Sequence, residues 1–112
     1  MKIIIEAVGI TLTPSLRYAV EDKMGHLDKF FKRNDSVELR IELSKPSAHH
    51  KKGNIFYAEA NLNMKGGLLR ATAENQDMHL AIDGVRHILE QQVVKRKDKE
   101  VSSHRRKISK RK

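Results

Sequence analysis

The chain has no cysteine and no tryptophan among its 112 residues. Without cysteine there is neither a disulfide framework nor a thiolate metal site, and a reducing compartment is compatible. Aromatic residues make up 4% of the chain, so we expect an aliphatic core. No hydrophobic run approaches the roughly 20 residues of a membrane-spanning helix, and the start of the chain lacks the layout of a signal peptide. We therefore expect one cytoplasmic domain with no membrane partner.

The chain also lacks the local motifs of common catalytic sites. It contains no G-x-S-x-G, no Walker loop and no H-E-x-x-H. Gly66 and Gly67 form an isolated pair, which is typical of a hairpin turn. We therefore do not expect an enzyme, and we expect neither a cofactor nor a small-molecule substrate.

Three residues of the second predicted helix have the spacing of a possible metal site. His79, Asp83 and His87 are spaced four apart, so on a helix they share a face. Successive helical turns rise about 5.4 Å, however, and three side chains of one straight helix rarely converge on a single ion. The preferred interpretation is a solvated helix face with a weak pair between Asp83 and His87, and no metal.

Positive charge is concentrated at the end of the chain. The net charge is +9, but residues 1–94 hold 13 Lys and Arg against 12 Asp and Glu, whereas residues 95–112 hold 10 against 2. A concentrated basic block favours a polyanion, of which nucleic acid is the usual one. The alternative is a solvated tail that aids solubility. We predict a domain over residues 1–98 and a basic, disordered tail over 99–112.

Hydrophobic periodicity predicts the element order β-α-β-β-β-α. The alternation of apolar and polar residues from Val37 to Ser44 is the clearest strand pattern. Thr13 is a good N-cap, and Pro14 fits the first helical position. The predicted elements are a strand over 1–8, a helix over 14–31, strands over 37–44, 56–63 and 69–74, and a helix over 73–99 with Asp77 as its cap.

This order restricts the topology. The helical connection makes the first two strands parallel, whereas the last three form an antiparallel meander. Each strand has one polar face, so both helices must cover the other face. The fold class is α/β, an α+β sandwich of a four-stranded mixed sheet with two helices on one face, similar to double-stranded-RNA-binding modules.

The helix side is the expected nucleic-acid surface. The open sheet face would mix Glu38, Glu42, Glu59 and Glu74 with two arginines, which is unfavourable for phosphate. Sheet-based readers of single strands need exposed aromatics, and the central strands offer only Tyr57. We therefore prefer shape and phosphate recognition of structured RNA. The candidate cations are the helix-one residues Arg17, Lys23, Lys29, Lys32 and Arg33 and the KRKDK segment over 95–99.

These segments resemble a known family. ATAENQDMHLAIDGV (71–85), with LTPSLRYAVEDKMGHLDKFF (12–31) and KRKDK (95–99), is similar to the ribosome hibernation promoting factors, also called ribosome-associated inhibitors or sigma-54 modulation proteins. The resemblance spans residues 1–99, and QDMHLAID is its most specific part. It implies binding to the small ribosomal subunit, through 16S ribosomal RNA phosphates, in the channel of messenger RNA and of A- and P-site transfer RNA. Such binding would stop translation and store inactive ribosomes in stationary phase or stress.

The resemblance also implies which cations contact RNA. Arg17, Lys23, Lys95, Lys97 and Lys99 match basic positions of the family. Ile88 and Gln91 stand where relatives often have Lys or Arg, and His79 stands where Tyr is usual. We expect Arg86 and Arg96 to compensate. The complete set of predicted RNA-binding residues is Arg17, Lys23, Lys29, Arg86, Lys95, Arg96, Lys97 and Lys99.

Two further expectations concern the partners. The chain resembles the short form of the family, which lacks the dimerisation domain of the long form, and we expect a monomer off the ribosome. The alternative hypothesis is a regulatory protein that acts on a polymerase sigma factor.

Overall fold

The computed structural model describes residues 1–45 and 55–109, with side chains up to Asp98. The elements follow the predicted order. They are β1 (Lys2–Val8), α1 (Pro14–Gly25), a 3₁₀ helix (His26–Phe30), β2 (Glu38–Ser44), β3 (Phe56–Met64), β4 (Gly67–Asn75) and α2 (Met78–Ser109).

The four strands form one mixed sheet in the order β1-β2-β3-β4. β1 is parallel to β2, whereas β2, β3 and β4 pair antiparallel, as the helical connection and the short hairpin predicted. Met64 pairs with Gly67, so Lys65 and Gly66 form a two-residue turn. Gly66 and Gly67 have φ angles of 99° and 142°, which residues with a Cβ rarely adopt. The predicted glycine hairpin is confirmed.

The core lies between one face of the sheet and the helices. Its fully buried side chains are aliphatic or Met, and Phe30, Phe31 and Phe56 pack against it only partly buried. A Cβ added at Gly84 of α2 would lie 3.2 Å from the Cβ of Ala73 in β4, so the helix approaches this strand closely. The largest buried residues are Met24, Leu27, Leu39, Ile41, Leu43, Leu62, Ile82 and Leu89.

α1 starts where the sequence predicts but ends earlier. The Thr13 hydroxyl accepts a hydrogen bond of 3.2 Å from the backbone N–H of Leu16, which confirms the N-cap. The prediction of one α-helix up to Phe31 is wrong, because the chain tightens into the 3₁₀ helix after Gly25. In a 3₁₀ helix, residues three apart lie on one face, so Leu27 and Phe30 both reach the core.

α2 starts later and ends later than predicted. Residues 73–75 pair with β3, so the predicted start at Ala73 is wrong. The Asp77 carboxylate accepts a hydrogen bond of 2.9 Å from the backbone N–H of His79, which confirms the cap. The helical backbone continues to Ser109, whereas residues 110–112 lie outside the described residues. The division into a domain over 1–98 and a disordered tail stays a prediction.

Candidate nucleic-acid interface

The sheet face opposite the helices is acidic. The register places Glu6, Glu42 and Glu59 in one row across β1, β2 and β3. Arg40 lies 3.4 Å from Glu6 and 3.4 Å from Glu38, and Arg70 contacts Glu59. Because both arginines of this face already contact carboxylates, the face is a poor surface for phosphate. This distribution agrees with the sequence prediction.

Five charged residues connect the two helices. Lys23 Nζ of α1 lies 3.5 Å from Asp83 Oδ1 of α2, and Lys29 Nζ of the 3₁₀ helix lies 3.4 Å from Glu90 Oε1. Arg86 lies between these acids, with Nε 3.0 Å from Asp83 and Nη1 2.6 Å from Glu90. We call the set Lys23, Asp83, Arg86, Glu90 and Lys29 the ion-pair ladder. It contains three cations and two anions, so most of its positive charge is compensated internally.

The ladder lowers the pKa of Asp83. The hydrogen bond from Arg86, together with the positive charges of Arg86 and Lys23, lowers the pKa of the Asp83 carboxyl below its usual range. Partial burial opposes this shift. The predicted pair between Asp83 and His87 is therefore wrong, because Asp83 is bound by Arg86 and Lys23. Only 20% of the Arg86 side chain is exposed, which limits its access to an external phosphate.

The helix continues beyond the core. Val93 is the last buried residue of α2 among the described side chains. The 16 residues from Val94 to Ser109, which we call the helix extension, span about 24 Å. Their sequence contains seven Lys and Arg against two acids. The side chain of Lys99 lies outside the described residues, although its backbone belongs to the helix.

Arg96 and Gln92 join α2 to β4 and to the hairpin. The guanidinium of Arg96 donates a hydrogen bond to the backbone carbonyl of Gly66 in the turn. One helical turn earlier, Gln92 Nε2 donates to the carbonyl of Arg70 at 3.0 Å. These two contacts fix where the helix extension leaves the sheet.

The remaining predicted cations lie outside the ion-pair ladder. Arg17 lies 4.0 Å from Glu21, and both side chains are more than half exposed, so this pair contributes little to stability. Lys95 is exposed, and Lys97 lies with its Nζ 5.4 Å from the centroid of the Phe31 ring. Neither lysine has a carboxylate within 4 Å among the residues with described side chains.

Sequence reasoning missed the role of Glu90. Its i,i+4 spacing from Arg86 was a visible signal for a pair on one helix. The contact with Lys29 had no such signal, since the two residues belong to separate elements. In the described part of the chain, no group of three or more His, Asp or Glu could hold a metal ion, and His79 and His87 are both exposed. No helix of this part is both long and apolar enough to cross a membrane.

The fold and the charges define a class of protein. It is a small α/β domain with a nearly neutral body, an acidic open sheet face and a cationic helix end, which is an arrangement suited to a polyanion. The chain matches the family model described as "Sigma 54 modulation protein / S30EA ribosomal protein" over residues 3–101. It belongs to this family.

Individual relatives agree with this assignment. The chain is 35% identical to a ribosome hibernation promoting factor of Klebsiella oxytoca and 32% identical to that of Escherichia coli K12, in each case over 88% of this chain and 96% of the relative. Among solved structures, the N-terminal domain of Thermus thermophilus Protein Y is 29% identical with a TM-score of 0.71, and covers 83% of this chain and 96% of that one. A ribosomal subunit interface protein of Coxiella burnetii is 25% identical with a TM-score of 0.70, over 88% of this chain and 99% of that one.

Proposed function

We propose that this chain is a ribosome hibernation factor that binds the small ribosomal subunit and blocks translation. Its family and the names of its relatives support the hibernation role. The observation that carries the proposal is the charge division: residues 1–94 have a net charge of +1, and residues 95–112 have +8. The cationic segment begins on a helix that hydrogen bonds join to the folded body.

The mechanism is occlusion, with no chemical step. The helix pair lies in the channel that messenger RNA and A- and P-site transfer RNA use, and 16S ribosomal RNA phosphates bind its lysines and arginines. A ligand held there excludes both RNAs, so ribosomes are stored inactive in stationary phase or stress. This partner places the chain in the cytoplasm, and the protein acts as a monomer off the ribosome.

The predicted RNA-binding residues divide into three roles. Lys95, Lys97 and Lys99 of the helix extension, together with exposed Arg17, supply direct phosphate contacts. Lys23, Lys29 and Arg86 keep carboxylate partners in the ion-pair ladder, so their first role is to hold the two helices in a fixed relation. Arg96 directs the helix extension through its contact with the hairpin.

The sigma-factor alternative remains a second hypothesis, because the family description names sigma-54 modulation. The relatives of Klebsiella oxytoca and Escherichia coli K12 are named for ribosome hibernation, which favours the ribosome. A pull-down from stationary-phase lysate distinguishes the two. We expect ribosomal RNA in the bound fraction; a sigma factor without ribosomal RNA would favour the alternative.

The direct test combines binding with inhibition. Purified protein is sedimented with small subunits through sucrose and is added to an in vitro translation reaction. We expect co-sedimentation at physiological salt and inhibition that excess messenger and transfer RNA relieve by competition. Binding without inhibition, or inhibition that these RNAs do not relieve, would contradict occlusion.

A further inference from the structure

A second group of lysines lies at the hairpin end of the sheet. Lys32, Lys65 and Lys97 line one pocket at the end of the sheet where the β3–β4 hairpin turns. The three lysines come from three separate elements, namely the segment before β2, the hairpin and the helix extension. Lys65 is not among the nucleic-acid cations that the sequence predicts, and Lys32 is a candidate cation that the final RNA-binding set does not include.

Local contacts hold these lysines near each other. The hydrogen bond from Arg96 to the Gly66 carbonyl joins the helix to the hairpin. Lys97 directly follows Arg96, and Lys65 directly precedes Gly66, so the contact brings both lysines to the same corner. Lys32 lies in a turn that Asp35 closes. The Asp35 carboxylate accepts a hydrogen bond of 2.8 Å from the backbone N–H of Lys32.

The charge of the pocket is positive. Asp35 is its only acidic lining residue against three lysines, which leaves a net charge of +2. No carboxylate lies within 4 Å of these lysine ammonium groups among the residues with described side chains. In the ion-pair ladder, by contrast, each cation has an acidic partner.

The pocket also has a firm base. Phe31, Val37 and Met64 line it, and Val37 and Met64 are only 6% and 7% exposed. Lys97 lies above the Phe31 ring, which restricts its position. Two of the lining residues therefore belong to the core, and the floor of the pocket is packed.

We propose that Lys32, Lys65 and Lys97 form a phosphate-binding pocket at the base of the helix extension, and that it takes a backbone phosphate of RNA. Lysine ammonium groups bind phosphate as point charges, and three lysines at one pocket suit an anion with several acceptor oxygens. RNA is favoured over an acidic protein because an RNA strand that follows the helix extension passes this corner. The choice of RNA rests on the proposed function.

The first experiment measures RNA binding by the isolated protein. ¹⁵N-labelled protein is titrated with a 10-residue oligouridylate and, separately, with a 10-residue oligoglutamate of comparable charge. We expect saturable shifts at the amides of Lys32, Lys65 and Lys97 with the RNA at lower concentration than with the peptide. Shifts elsewhere only, or stronger binding of the peptide at these amides, would overturn the proposal.

The second experiment uses the ribosome. The Lys32→Gln/Lys65→Gln variant is compared with Lys2→Gln/Lys45→Gln, which removes the same charge from exposed positions that do not line the pocket. We expect the pocket variant to bind small subunits about tenfold more weakly, and the magnitude of the slope of log K against log salt to fall by about 1. The control should change less, and Lys32→Arg/Lys65→Arg should restore binding. An equal loss of affinity for small subunits in the pocket variant and in the control would overturn the proposal.

Comparing wild type with the pocket variant shows whether the pocket or the proposed function is wrong. Wild-type protein that ignores small subunits contradicts the function, whatever the pocket variant does. Wild-type protein that binds small subunits, with a pocket variant that binds equally well, contradicts the pocket alone.

Discussion

Arg86 Nη1 donates a hydrogen bond of 2.6 Å to Glu90 Oε2, one turn further along α2. The same carboxylate group also lies 3.4 Å from Lys29 Nζ, through its other oxygen. Glu90 therefore forms ion pairs with two of the cations that the sequence assigns to RNA, Lys29 and Arg86. In the body of the protein, acidic residues balance most of the basic ones. The excess positive charge lies on the helix extension.

Removing Glu90 should increase the affinity for RNA. In Glu90→Gln, Lys29 loses its carboxylate partner and becomes available to phosphate, so we expect tighter binding to small subunits and a salt slope larger by about one unit. Glu74→Gln is the control, because it makes the same change of charge at an exposed residue of the acidic sheet face. Equal affinities for Glu90→Gln and Glu74→Gln would contradict the assigned role of Glu90.

The ion-pair ladder should make stability depend on pH. Because the pKa of Asp83 is lowered in the folded protein, its ionised form stabilises the fold above the ordinary pKa, near 3.8, and this contribution is lost as pH falls through the lower folded value. The difference in free energy of unfolding between wild type and Asp83→Asn should be constant from about pH 7 to 5 and should shrink below about pH 4. Urea denaturation at several pH values measures it.

Arg86 supplies the control for this pH effect. The hydrogen bond from Arg86 is the largest cause of the shift in the Asp83 pKa. In an Arg86→Ala background, Asp83→Asn should therefore give a smaller pH-dependent difference. The same pH dependence in both backgrounds would show that the stabilisation has another source.

We expect Arg96 to position the helix extension rather than to contact RNA. Arg96→Ala removes the contact with the Gly66 carbonyl, so we expect a loss of about 1 kcal/mol in free energy of unfolding. Hydrogen exchange should become faster at the Gly67 amide and at the amides of α2 after Val93. Lys95→Ala, at the exposed neighbouring residue, should leave exchange unchanged. Unchanged exchange in Arg96→Ala would contradict the positioning role.

Local patterns predicted most of the fold. The alternation in β2, the Thr13 cap and the glycine turn at Gly66 depend on neighbours in the sequence, and all three are confirmed. The ends of the helices were less well predicted, because β4 pairing extends to Asn75 and the 3₁₀ helix replaces the last turns of α1. Both outcomes depend on tertiary packing.

The site was predicted less completely for the same reason. The sequence identified cations but could not show which of them meet an acid from another element. Lys23 and Asp83 are 60 residues apart, yet their charged atoms lie 3.5 Å apart in the fold. Lys65 and Lys97 line one pocket, which likewise depends on the contact between α2 and the hairpin.

The most direct test of the account is the binding of Lys95→Glu/Lys97→Glu to purified small ribosomal subunits at physiological salt. Lys2→Glu/Lys45→Glu makes the same change in net charge at residues outside the helix extension, and the melting temperatures of both variants check that they fold. We predict that Lys95→Glu/Lys97→Glu no longer co-sediments with small subunits, whereas Lys2→Glu/Lys45→Glu still does. Co-sedimentation of the Lys95→Glu/Lys97→Glu variant at the wild-type level would contradict the account.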